Sequence, residues 1–153
     1  CIYQIMSSVV EILSNMWIGH YNDCGNLLSF SECNIDTIIN GCGRVPFTIG
    51  NIHTHDILFR HTDEYNDILP KMINTIDFIH TCLSRNKFIL IYSLENDQVD
   101  STIVVCYLMK YGQMEPKTAI NAVSSKRTNE FHKGLLFKTF IFSFYEHLLT
   151  GFK

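Results

Sequence analysis

Short apolar runs come early in this chain and helical periodicities come late. Val9 to Leu13 and Met16 to Ile18 are apolar stretches split by the turn pair Ser14-Asn15, and they predict two short strands. Asn22 to Phe30 predicts a short helix with Asn22 or Asp23 as its N-cap. Thr37-Ile38-Ile39-Asn40 is β-branched and ends at Gly41, which predicts a buried strand. Residues 41–56 hold Gly, Pro, Asn and His and read as loop with at most one strand, closing on Ile57-Leu58-Phe59. From Asn66 to Leu83, apolar Ile68, Leu69, Met72, Ile73, Ile76, Ile79 and Leu83 recur at helical spacing, with Pro70 expected in the first turn. Phe88 to Tyr92 is the central strand, and helices are expected at 100–111, 116–126 and 132–149. Ala119, Ala122 and Val123, then Phe137, Phe140, Phe144 and Leu148, give the last two their apolar faces. The order predicts an α/β domain with a central mixed sheet flanked by helices.

Composition narrows this reading without changing it. The 153 residues fit one domain, 1–153, with room for a real core. Formal net charge is −3, with acids and bases scattered, which argues against a nucleic-acid or acidic-membrane surface. No apolar run approaches the ~20 residues of a membrane span, and no secretory signal is visible. The chain starts at Cys1 rather than Met, so a preceding segment is expected. The six cysteines form no CxxC pair; Cys82 and Cys106 fall in apolar helical patterns and read as buried free thiols. A reducing, cytoplasmic setting is expected. The abundance of Ile and Asn suits an AT-rich genome.

Candidate chemistry concentrates at residues 88–110. An apolar strand feeds through SLENDQVD into an apolar helix, an arrangement that commonly builds an anion site at the helix N-terminus. Yet the loop carries Glu95, Asp97 and Asp100 and neither Lys nor Arg.

From about Glu11 to Leu149 the chain resembles the small dual-specificity phosphatases of the cysteine-dependent tyrosine phosphatase superfamily, cellular and poxviral. Leu13-Ser14-Asn15-Met16-Trp17-Ile18-Gly19-His20-Tyr21 is similar to the family's opening strand-turn-strand. Ile35 to Asn40 matches the strand after the first helix, Tyr107-Leu108-Met109-Lys110 the helix after the catalytic loop, and Ala119, Val123 and Lys126-Arg127 the helix beyond it.

The resemblance implies a catalytic loop of His-Cys, five residues, Arg, then Ser or Thr. Here that frame gives Tyr92, Ser93, Leu94-Glu95-Asn96-Asp97-Gln98, Val99 and Asp100. Ser93 falls at the nucleophile, Val99 at the phosphate-clamping arginine, and Asp100 at the hydroxyl that supports the leaving thiolate. His61, in Arg60-His61-Thr62, best matches the general-acid position, with Asp63 two residues late. A loop cysteine works because amides and the helix dipole hold it as thiolate. A serine is far too weak an acid for that and needs an adjacent base. Losing the arginine removes bidentate phosphoryl contacts. Each carboxylate several ångströms from a phosphate costs on the order of 1 kcal/mol at an effective dielectric of ~20–80.

The expectation is therefore a pseudophosphatase rather than an enzyme: a protein-binding scaffold, competitor or complex subunit with no cofactor, possessing a degenerate phosphate loop, Ser93 to Val99. If the chain is viral, host signalling or a viral complex is its setting. Asn96 stands where the family has Gly, and Asn tolerates left-handed backbone, so the loop keeps its shape. Asp100 or Asp97 is expected to cap the following helix and take the amides that once held phosphate; the rival is a drifted, collapsed loop. Two rival functions remain: a rerouted phosphatase using Ser93 with His61, and a phosphate reader without catalysis. His53, His55 and His61, with Asp56 and Asp63, raise a metal cluster, but their spacing fits no complete hydrolase motif and solvated loop histidines are expected. Cys42 reads as an exposed loop thiol. Ile2 to Val10 is apolar enough to pair two copies of the chain.

Overall fold

The computed structural model describes residues 9–25, 34–43 and 52–151. Five strands form one sheet: β1 Val10–Leu13, β2 Met16–His20, β3 Thr37–Asn40, β4 His53–Asp56 and β5 Ile89–Ser93. Their order is β1-β2-β5-β3-β4. β1 pairs antiparallel with β2, while β2–β5, β5–β3 and β3–β4 are parallel, so the sheet is mixed as expected.

Central β5 explains why its sequence does not alternate. All five of its residues are buried, because both faces of the sheet are covered. Ile89 and Ile91 enter a large core with Met16, Ile18 and Ile39. Leu90 and Tyr92 enter a smaller one with Cys24, Ile35 and Ile38.

Four helices lie among the described residues: α1 Tyr65–Ser84, α2 Val99–Tyr111, α3 Pro116–Lys126 and α4 Lys138–Gly151. Each contributes to the large core: Ile68, Met72, Ile76 and Ile79 from α1, Ile103 to Cys106 from α2, Ala119 and Val123 from α3, Phe140, Ile141, Phe144 and Leu148 from α4. Cys82 and Cys106 are buried free thiols, as read from the pattern.

Two expectations need correction, and a third is only partly described. Pro70 is the sixth residue of α1, past its first turn and on its exposed side, and without an N–H it gives the Asn66 carbonyl no helical donor. The last helix begins at Lys138, not at 132. Gly134 has φ 110° and Asn129 φ 70°, and the side chain of Gln98 holds Glu130, Gly134 and Leu136 by their backbones, so the segment forms turns instead. Asp23–Gly25 is a single 3-10 turn, and the rest of the helix expected to Phe30 lies outside the described residues. Residues 2–8 of the apolar stretch expected to pair two copies lie outside them as well.

Candidate functional site at the β5–α2 loop

Parallel pairing brings the C-terminal ends of β2, β3, β4 and β5 to one edge of the sheet, at His20, Asn40, Asp56 and Ser93. Ligand sites of parallel sheets form at such an edge. From Ser93 the chain turns through Leu94 to Gln98 into α2. Asn96 (φ 71°) and Gln98 (φ 57°) are both left-handed. Asn96 takes the geometry read from its sequence position; Gln98 was not foreseen, and its side chain is what holds it.

The first four amides of a helix lack partners within it, and here three of them, those of Val99, Asp100 and Ser101, find a partner in the chain. Val99 N–H donates to Asp97 Oδ1 at 2.9 Å, and Asp100 N–H to Ser93 Oγ at 3.2 Å. Ser101 N–H donates to Asp100 Oδ1 at 2.8 Å, and Thr102 N–H to the Gln98 carbonyl at 2.9 Å. Asp97 Oδ2 also accepts Leu94 N–H at 3.1 Å, so one carboxylate closes the loop from both ends. Burial pushes the Asp97 carboxyl above the usual carboxylate value, while the Val99 amide and the Ser93 hydroxyl pull it back. Capping by an acid was expected; it comes from Asp97, the residue before the N-cap Gln98, whose own side chain makes no capping bond.

Asp100 has a different task. It is 1% exposed and accepts Arg127 Nη1 at 2.9 Å. The same nitrogen reaches Ser101 Oγ at 3.2 Å and Glu130 Oε2 at 3.1 Å. Gln98 adds a second tie: its Nε2 donates to the Glu130 and Gly134 carbonyls at 3.3 and 2.9 Å, and its Oε1 accepts Leu136 N–H at 2.9 Å. Arg127, Glu130 and Gln98 thus bind the segment after α3 to the loop. Sequence reasoning gave Arg127 no role, because an isolated Lys-Arg pair at a helix end looks like a solvated charge. Only the burial of Asp100 reveals its partner.

Beside the loop lies a cleft of about 290 Å³. Leu58, Phe59, Leu94, Val99 and Phe137 line it, Arg60 and His61 stand in its lining, and Asp97 is the only acid there among the described residues. Leu58 and Leu94 are 51% and 37% exposed.

A family model described as "Dual specificity phosphatase, catalytic domain" matches residues 16–147. The chain belongs to this family. The human dual specificity protein phosphatase 9 is 28% identical over 124 residues, covering 78% of this chain and 32% of that protein. The human dual specificity protein phosphatase 16 is 25% identical over 118 residues, covering 76% and 18%. The match thus spans about a third or less of these curated relatives. Among solved structures, human DUSP28 aligns with TM-score 0.78 at 14% identity, covering 92% of this chain and 95% of that one. The human tyrosine phosphatase-like serine/threonine/tyrosine-interacting protein aligns with TM-score 0.79 at 16% identity, covering 96% and 99%. Such identities establish the shared fold.

On this dual specificity phosphatase fold, the residues expected from sequence are only partly assembled. Leu94, Asp97, Val99 and His61 share the cleft. Ser93 does not line it: it is 0% exposed, and its hydroxyl accepts Asp100 N–H, with no histidine bonded to it among the described residues. Exposed His61 meets the edge of Phe137 instead, with ring centroids 6.3 Å apart. His53 and His55 are not loop residues but lie on β4. His55 is half-buried, stacks on Phe78 at 4.7 Å and bonds Thr75 Oγ1 at 3.0 Å, and burial lowers its pKa. Among the described residues, no three His, Cys, Asp or Glu side chains form a metal-binding group. No helix among them is long and apolar enough to cross a membrane. Cys42 is half-buried rather than an exposed loop thiol, with its N–H and Sγ both on Asn40 Oδ1.

Proposed function

We propose that this chain is a pseudophosphatase: a dual specificity phosphatase domain that binds other proteins and hydrolyses no phosphoester. The observation that carries this reading is the Asp97 carboxylate, which accepts both Leu94 and Val99 N–H within the loop. A phosphoryl group arriving there meets a negative charge where the Leu94 and Val99 amides are already taken. Ser93 stands at the position of the family's cysteine, buried, with no histidine bonded to its hydroxyl among the described residues. Val99 stands at the position of the arginine and offers no donor. Arg127 is too committed to substitute, since Asp100, Ser101 and Glu130 all hold its guanidinium.

The proposed role is that of a scaffold, competitor or complex subunit in the cytoplasm, the host's if the chain is viral. A fold neighbour named as phosphatase-like and as interacting with serine, threonine and tyrosine supports a binding role. The test is turnover of an aryl phosphate by the wild-type protein and by Ser93→Ala, together with calorimetric titration of inorganic phosphate. The expected result is no turnover above background and no saturable heat. Hydrolysis that disappears in Ser93→Ala, or micromolar phosphate binding, refutes the proposal.

A further inference from the structure

The two sides of α4 differ. Phe140, Ile141, Phe144 and Leu148 are buried in the large core, whereas Phe142 and Leu149 on the other side are 45% and 54% exposed, with Tyr145 half-buried. Residues three, four and seven apart share a helix face, so Phe142, Tyr145 and Leu149 form one apolar stripe. None of the three lines the cleft beside the β5–α2 loop.

Charges frame this stripe symmetrically. Lys138 stands four residues before Phe142 and Glu146 four residues after it, and both are exposed. Neither has an ion-pair partner among the described residues. Laid antiparallel on a second copy, with a two-fold axis at Phe142, the helix sets Phe142 against Phe142, Lys138 against Glu146 and Glu146 against Lys138. Leu149, seven residues past the axis, falls opposite position 135 of the other copy, beside Leu136, which is 39% exposed. Both charges meet their opposites, and exposed apolar residues meet one another. Such self-matching about a two-fold is what an isologous dimer requires. A parallel pair would set Lys138 against Lys138 and Glu146 against Glu146. An antiparallel pair with Phe142 opposite Leu149 would leave Lys138 beyond the end of the other helix at Gly151. A partner of uniform charge gains at one end of the stripe and loses at the other.

We propose that α4 is the surface on which two copies of this chain pair, antiparallel and symmetric about Phe142. This places the pairing surface on α4 rather than on residues 2–8, and it is independent of the pseudophosphatase reading. The apolar stripe supplies the attraction and the charge pairs fix orientation and register. One helix face covers less than the ~800 Å² per partner of a standard interface, so the dimer is weak and concentration-dependent.

Sedimentation equilibrium of the full chain, from micromolar to millimolar concentration, tests this. The mass should rise from one copy toward two. Glu146→Lys and Lys138→Glu each turn both attractive pairs into repulsive ones and should raise the dimer Kd about tenfold or more. Mixed in equal amounts, these two monomeric variants restore both pairs and should form a heterodimer with a Kd within about threefold of wild type. Phe142→Ser should weaken pairing with no change of charge. All three positions are exposed, and a wild-type Tm for each variant at micromolar concentration separates lost pairing from lost folding. A wild type that stays single at millimolar concentration overturns the inference and leaves the stripe to a different protein. A dimer indifferent to both charge variants, or a mixture that fails to recover, overturns the antiparallel pairing at Phe142. A dimer that survives every variant and disappears when residues 1–8 are removed overturns it in favour of the N-terminal stretch.

Discussion

Arg127→Ala is the perturbation that most directly probes how the loop is held. Arg127 is 8% exposed and Asp100 1%, and their charged atoms lie 2.9 Å apart. Removing the guanidinium leaves Asp100 buried with only Ser101 N–H on one oxygen, and strips Glu130 of its partner. Breaking a buried pair by deleting one member costs about 3–5 kcal/mol, chiefly for the charge left behind. For a domain of this size each kcal/mol lowers Tm by about 2–4 °C, so the expected drop is about 6–20 °C. Thermal and urea denaturation followed by circular dichroism measure it. The triple replacement Arg127→Met, Asp100→Leu, Glu130→Leu separates lost charge from lost packing, because a set removed together leaves no charge uncompensated and should recover most of the loss. Destabilisation under about 1 kcal/mol in Arg127→Ala would mean the pair is screened by water. A triple variant less stable than the single one would refute the electrostatic explanation.

Further predictions concern the same few residues. Asp97 has a folded pKa above its unfolded value, so its contribution to stability is full below the unfolded value and is lost as pH rises through the folded one. The Tm of wild type minus that of Asp97→Asn should therefore grow more positive as pH falls from 7 to 4; a flat or falling difference contradicts the burial argument. Gln98→Ala removes three hydrogen bonds and with them what holds residue 98 left-handed, and should cost about 1–3 kcal/mol. Faster hydrogen exchange at Leu136 N–H is its local readout, and unchanged exchange would show that the tie is not formed. Gly41→Ala places a Cβ 2.8 Å from the Tyr92 carbonyl, a backbone atom that cannot step aside, and should lose about 1–3 kcal/mol by denaturation.

How far the sequence could reveal this structure depends on where the decisive interaction lies. Strand and helix identities were legible because burial imposes periodicity: Ile68, Met72, Ile76 and Ile79 face one way and are all buried. The left-handed Asn96 was legible from its side chain, since Asn tolerates that backbone. Capping by an acid was legible in kind, but Asp97 and Asp100 could not be assigned separate tasks. The answer depends on Arg127, which approaches from 27 residues away. His55 was read as a loop residue because β4, exposed at both ends, half-buried between them and rich in His and Asp, has no apolar alternation to mark it. Its strand character comes from pairing with β3, and its burial from Phe78 on α1. The late start of α4 was hidden for a similar reason. Phe131 to Leu136 could continue a helix, and it is Gln98 that holds the segment in turns.

The way the loop is closed sets a condition on any attempt to restore catalysis. On the proposed reading, Ser93→Cys, Val99→Arg and Asp100→Ser together rebuild the nucleophile, the clamp and the hydroxyl. They leave the Asp97 carboxylate on the Leu94 and Val99 amides. That carboxylate competes as part of the same chain, and groups held close by a short tether act at effective concentrations of millimolar or above. Free phosphate or a phosphopeptide at lower concentration cannot displace it, and its charge works against every phosphoryl oxygen nearby. The triple variant should therefore fail to turn over an aryl phosphate, and adding Asp97→Ala should bring back phosphate binding and measurable turnover. Removing Asp97 also withdraws the Val99 N–H partner at the start of α2, a loss of about 1 kcal/mol in the absence of ligand. The fourfold variant should accordingly gain thermal stability from added phosphate, whereas the triple variant should not. Equal turnover in the two variants would show that Asp97 does not block the loop.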